Sequence, residues 1–119
     1  DERVGTIYGN EIALFSDRLG AAGRTDLVAQ FDGIRSVVDF KTSSKDKKES
    51  WITDYFLQST AYAIMLEEMY DHFIIPQIAI IIAVEDGEHK NQVFVKKTIE
   101  YREQVLHLFD EYHRLYSQL

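Results

Sequence analysis

The chain contains no cysteine. That absence excludes a thiolate zinc site, an iron–sulfur cluster, a cysteine nucleophile and a disulfide framework, and it fits a reducing compartment. Proline occurs once, at position 76, and no repeat or low-complexity linker divides the chain. Long apolar runs are also missing. The longest, Ile78 to Val84, has the length of a strand and falls short of the ~18 residues that span a bilayer. No signal-peptide pattern opens the sequence, so no membrane partner is expected. Positive charge is scarce: 13 Lys and Arg stand against 20 Asp and Glu, for a net charge of −7. A protein that holds nucleic acid by broad phosphate neutralisation is usually basic, so any such role here must rest on a local feature. What is present is 119 residues, 45% of them hydrophobic, enough for one compact domain that folds without staples. Numbering starts at Asp1 rather than at a methionine, so a fragment of a longer protein is expected, with a further domain or partner subunit supplying N-terminal elements.

Residues 4–8 and 11–16 have strand composition and are separated by Gly9-Asn10, a turn signal. Two further strands are expected at 24–31 and 34–41, joined by Asp32-Gly33, which tolerates the positive φ values of a type I′ hairpin turn. A polar loop at 42–50 carries Lys45, Lys47 and Lys48. A helix at 53–72 follows, with Ile52, Phe56, Ser59, Ala63, Leu66 and Phe73 recurring at helical spacing. The isoleucine-rich run 77–84 reads as a central strand buried on both faces. A turn at 86–91 and a strand at 92–97 come next. Thr98 is a plausible N-cap for a last helix, whose apolar side holds Tyr101, Val105, Leu108, Phe109, Tyr112, Leu115, Tyr116 and Leu119. The expected fold is α/β, a mixed central sheet flanked by helices.

The Asp32-Gly33 turn has a chemical consequence. A two-residue loop sets Phe31 opposite Ile34, and counting back sets Asp26 opposite Asp39 and Arg24 opposite Lys41. By strict alternation these four side chains share one face. The other face carries Leu27, Ala29 and Phe31 against Ile34, Val38 and Phe40, an apolar surface expected to be core. Two carboxylates opposed across a ladder lie about 5 Å apart and repel by on the order of 3 kcal/mol at an effective dielectric of about 20. A hard divalent cation offsets that repulsion, since Mg²⁺ takes one or two carboxylates plus waters and phosphate oxygens. Such an ion can polarise a phosphoryl group and generate hydroxide, while Lys41 could hold the attacking water or stabilise negative charge. The bland alternative is a surface salt-bridge cluster of Asp26 with Arg24 or Lys41.

With these residues in place, three stretches resemble the RecB-type branch of the PD-(D/E)XK nuclease superfamily. Gly23-Arg24-Thr25-Asp26 is similar to its G-x-x-D motif, Val37-Val38-Asp39-Phe40-Lys41-Thr42 to its hydrophobic–Asp–aromatic–Lys–Thr motif, and Gln58 to Tyr62 to its Q-x-x-x-Y motif. The resemblance implies a restriction-endonuclease-like fold, Mg²⁺ or Mn²⁺ dependence and DNA as substrate. It implies metal ligands at Asp26, Asp39 and the backbone carbonyl of Phe40, with Lys41 catalytic and Gln58 and Tyr62 orienting the site or touching the strand. Glu11 would stand in for an acidic ligand that relatives supply from a helix before the first strand. Arg24, Thr42, Ser43, Lys45, Lys47 and Lys48 are the candidate DNA contacts. The missing cysteines exclude the iron–sulfur subgroup and leave a likeness to the smaller phage and mitochondrial exonucleases. The expected location is the cytoplasm of a bacterial or phage-infected cell, with the mitochondrion as alternative.

The expected function is thus a metal-dependent deoxyribonuclease, of exonuclease type, in replication, recombination, repair or phage DNA processing. The alternatives are a non-catalytic module that keeps the fold and binds a DNA end or a protein, and an acidic cation-binding domain. His72, His89, His107 and His113 show no ligand spacing, and Trp51 is expected to anchor the start of the helix rather than to stack on a base.

Overall fold

The computed structural model describes residues 2–86 and 91–116, with Tyr116 described by its backbone alone. Most of the expected 86–91 turn, His89 included, and Leu119 lie outside these residues. The chain forms β1 (Val4–Ser16), β2 (Ala21–Phe31), β3 (Ile34–Ser43), α1 (Thr53–Met69), β4 (Gln77–Val84), β5 (Asn91–Lys97) and α2 (Arg102–Tyr116). The strands lie in one sheet in sequence order. All neighbours are antiparallel except β3 and β4, which run parallel because α1 carries the chain back between them.

The Asp32-Gly33 turn forms as the sequence implies, with φ of 53° and 80° at its two residues and Phe31 opposite Ile34. Arg3 holds it from outside, donating to both carboxylate oxygens of Asp32 at 2.9 and 2.7 Å. Gly9-Asn10 is not a turn. β1 runs through it as one 13-residue strand, and the local irregularity appears as register shifts against β2 and a left-handed Glu11, φ 48°. A long partner strand is already in place at β2, so the glycine is used for a bulge and not for a reversal.

The two faces of the sheet are distributed otherwise than the hairpin pattern implies. The main core, including Val28, Val37, Ile78, Ile80 and Ile82, lies beneath α1 and α2, and a smaller cluster around Phe31, Val38 and Ala79 lies on the opposite face. Asp39 and Lys41 alternate with Val37, so they stand on the helix-covered face and not on an open polar one. β3 is an interior strand packed on both sides, whereas the two-strand pattern treats one face as solvent.

α1 ends at Met69, three residues before the expected limit, because Tyr70 is extended and His72 adopts φ 63°. The chain turns there so that Phe73 packs edge-on against Tyr8 and Tyr70, and the Ile75 N–H donates to the Glu67 carboxylate at 2.8 Å. Thr98 does not cap α2. A 3₁₀ turn, Thr98–Glu100, intervenes, and the buried Thr98 hydroxyl donates instead to the Ile75 carbonyl at 2.8 Å. Arg102, the first residue of α2, completes this junction by gripping Glu67 at 2.6 and 2.5 Å and the Ile75 carbonyl at 2.9 Å. A half-buried bidentate pair that also satisfies main-chain groups is costly to break from one side. Arg102→Ala should lower stability by about 2 kcal/mol, read as an earlier urea midpoint; an unchanged midpoint would show that the junction does not hold α2 in place.

Candidate active site

The pairing of β2 with β3 stops at Leu27 opposite Val38. On the next rung a side chain replaces the main chain: the Asp26 carboxylate accepts the Phe40 N–H at 2.9 Å. Strict alternation breaks at this point. Val28 faces α1 in the core, yet Gly23, five residues earlier, also faces α1, where a Cβ would stand 2.6 Å from the Tyr62 ring. One consequence concerns Arg24, expected beside Lys41: it is exposed, with no hydrogen bond or ion pair to the site. A second is that Asp26 and Asp39 are near neighbours just past the end of the β2–β3 ladder and not a regular cross-strand pair.

Asp39 is buried, 5% exposed. Its Oδ2 forms an ion pair with Lys41 Nζ at 3.0 Å and makes no regular hydrogen bond. Lys41 Nζ donates to Gln58 Oε1 at 3.1 Å and sits 4.8 Å from the centre of the Tyr55 ring. α1 therefore positions the lysine that β3 presents. Burial, and next the Asp26 carboxylate, push the Asp39 carboxyl above the ordinary aspartate range, against the opposing pull of Lys41. The Tyr62 hydroxyl is pushed up as well, first by burial and then by the charge of Asp39.

Asp26, Asp39, Lys41, Gln58 and Tyr62 are thus brought together at the C-terminal end of β3. Glu11 is not. It stands beside Asp26 in the register, but its left-handed backbone takes it out of the ladder and its side chain is exposed. Among the described residues, no group of three His, Asp or Glu side chains could hold a metal ion. Thr42 is exposed, and the Ser43 hydroxyl is engaged with Lys45, donating to its carbonyl at 2.6 Å. Lys47 is fixed through its backbone by the Gln92 side chain, at 2.8 and 2.9 Å. Lys48 lies over the Trp51 ring at 5.3 Å, and Trp51 is 63% exposed instead of anchoring the helix. His107 approaches Glu111 at 3.8 Å, and His113 contacts the Leu19 carbonyl. Sequence reasoning missed two positions. Tyr55 lies three residues before Gln58, a helical spacing that could have revealed it. Gly23 entered as the first residue of the G-x-x-D motif, while its use in the fold is to leave room for Tyr62.

Comparison with known proteins follows the same lines. The sequence profile of the PD-(D/E)XK nuclease superfamily matches residues 5–119. The chain belongs to that superfamily. Its sheet and flanking helices have the restriction-endonuclease-like architecture. Among solved structures, a protein of Eubacterium rectale with a provisional exonuclease assignment superposes with a TM-score of 0.55 at 11% identity, over 92% of this chain. The chain spans 43% of that protein's length, and the likeness is one of fold. No curated protein matches the sequence.

PD-(D/E)XK nucleases use divalent metals, and the residues present fit one: a buried carboxylate oxygen without a hydrogen-bond partner, a second carboxylate against it, and a raised Asp39 that shows how poorly the pair tolerates full ionisation. The Phe40 carbonyl leaves extended backbone on the same edge as its N–H, toward Asp26.

Two outcomes follow from this packing. A carboxyl raised in the folded state holds its proton more tightly there than in the unfolded chain. Its stabilising contribution is complete at acid pH and is lost as pH climbs from the ordinary aspartate range through the raised value. In EDTA, Asp39→Asn should remove that loss, leaving the variant more resistant to urea than wild type at pH 7 and the two closer at pH 4. Gly23→Ala should cost about 1–3 kcal/mol through overpacking against the tyrosine ring, and a double-mutant cycle with Tyr62→Leu should recover most of that loss.

Proposed function

We propose that the chain is a metal-dependent deoxyribonuclease of exonuclease type, resembling the RecB branch without an iron–sulfur cluster, that serves DNA replication, recombination, repair or phage DNA processing. The observation that carries this reading is the buried Asp39 carboxylate held between the Asp26 carboxylate and the Lys41 ammonium. Carboxylates in such a setting are costly unless a cation compensates them.

Asp26, Asp39 and the Phe40 carbonyl would hold Mg²⁺ or Mn²⁺. When bound, such an ion supplies a polarised phosphoryl group and a more acidic water. The chain's own residues do the rest. Lys41, restrained by Gln58, Asp39 and Tyr55, keeps a positive charge at the mouth of the site, where it orients the attacking water and stabilises negative charge building on the phosphate. Gln58 holds the ammonium in place, which limits the reorganisation needed as the reaction proceeds. Tyr62 walls the site beside Gly23 and keeps Asp39 from water. Asp26 has a double task, since its carboxylate both terminates the β2–β3 ladder and supplies a ligand. Lys45, Lys47 and Lys48, in the loop after β3, would supply phosphate contacts that position the strand. A further acidic ligand would come from an additional domain or partner subunit, since among the described residues no third carboxylate joins the pair.

The test uses end-labelled single- and double-stranded DNA with Mg²⁺ or Mn²⁺. Wild type should cleave only with metal, and Asp39→Ala and Lys41→Ala should each lower the rate by about 10²-fold or more. Absence of metal-dependent cleavage, or cleavage unchanged in both variants, would favour a binding module over an enzyme.

A further inference from the structure

One side of α1 carries side chains that the core covers only in part, Tyr55 and Tyr62 among them. Tyr55, Gln58 and Tyr62 follow one another at intervals of three and four, which places them along one face of α1, and Trp51 stands four residues before Tyr55. Among the residues between them, Ile52, Phe56, Ser59, Thr60 and Ala61 are buried. Trp51 belongs to the 3₁₀ turn Glu49–Trp51 that leads into α1. Lys41 touches two members of the row, Gln58 by hydrogen bond and Tyr55 through its ring. Tyr62 lies against β2 at Gly23. The row therefore starts at the exposed tryptophan, passes the lysine and ends beside Asp26 and Asp39.

Charge reinforces the arrangement. The chain is acidic overall, with a net charge of −7, yet Lys45, Lys47 and Lys48 precede the row and the Lys48 ammonium lies over the indole ring. An exposed indole beside lysines, in line with a phosphate-directed site, matches what unpaired nucleic acid requires: flat surfaces for bases and a positive path for the backbone. A base-paired duplex offers no free base face to such a row.

We propose that this ridge is the track of an unpaired nucleic-acid strand, with a base stacked on Trp51 while the backbone passes Lys48 and Lys41 toward the aspartates. The proposal rests on the nuclease reading and adds the form of the substrate, a single strand or a frayed end. Trp51 is a specificity-determining residue in this scheme and takes no part in bond cleavage.

Trp51 is the sole tryptophan in the chain, so its fluorescence reports this position alone. The full chain in EDTA is titrated with oligo(dT) of 12 nucleotides and with a blunt 12-base-pair duplex, and binding is followed in parallel by anisotropy of a labelled oligonucleotide. The expected result is quenching that saturates with the single strand and not with the duplex. Trp51→Ala should weaken single-strand binding about tenfold and leave the urea midpoint unchanged, because the side chain is exposed. Oligo(dT) binding without quenching, absence of oligo(dT) binding, or equal quenching by the duplex would each overturn the proposal. Metal-dependent cleavage lost in Asp39→Ala but accompanied by no quenching would leave the nuclease reading standing and sink the track alone. Quenching without cleavage would do the reverse.

Discussion

Where β2 and β3 part, the carboxylate of Asp26 occupies the place of a backbone carbonyl and takes the Phe40 N–H. Much of the site depends on that exchange. A regular ladder would have carried the strands past each other with Asp26 and Asp39 on a common face and Arg24 beside Lys41. The exchange turns Gly23 inward against α1, moves Arg24 outward, and sets one carboxylate in the plane of the sheet beside another that points into the helix layer. Two acidic groups are thereby held close by main-chain geometry, which does not relax when they repel.

The second constraint is the seating of α1. Its residues meet the sheet closely enough that Gly23 has no room for a Cβ beside Tyr62. They also carry the amide that holds Lys41. Packing here works against stability, since the same helix that organises Lys41 also removes water from Asp39. A buried carboxylate set beside a second one costs stability, a trade seen generally at active sites. The far end of the molecule shows the opposite arrangement. There Glu67, Arg102, Thr98 and the Ile75 carbonyl satisfy one another and lock α2 to the start of β4.

Legibility in the sequence followed the range of the interactions. The Asp32-Gly33 turn was readable because type I′ geometry depends on two adjacent residues. β4 was readable because a strand covered on both faces must be apolar at nearly every position, as Gln77–Val84 is. The end of α1 was less so, because apolar spacing continues through Phe73 while the backbone has already turned to reach β4. Gly9-Asn10 misled for a related reason: the same dipeptide serves a reversal or a bulge, and the partner strand decides which. Thr98 kept its polar role but spent its hydroxyl on Ile75, a carbonyl 23 residues away. Arg24 was placed by alternation, and alternation is what the sheet gives up at Asp26.

By itself the sequence determined the residue types, their order and their local periods: a hairpin with a defined turn, a doubly buried strand, a helix with Gln58 and Tyr62 one turn apart, and an Asp-x-Lys at the end of a strand. These depend on neighbours a few positions apart, where backbone geometry is nearly independent of the rest of the chain. Only the tertiary structure decided which face of the sheet α1 would cover, that the ladder would stop at Val38, that Asp39 would lose its water, and that Trp51 would stay outside the core. Each of those outcomes is a competition among distant groups for the same space or the same hydrogen bond, and no local pattern records who wins it.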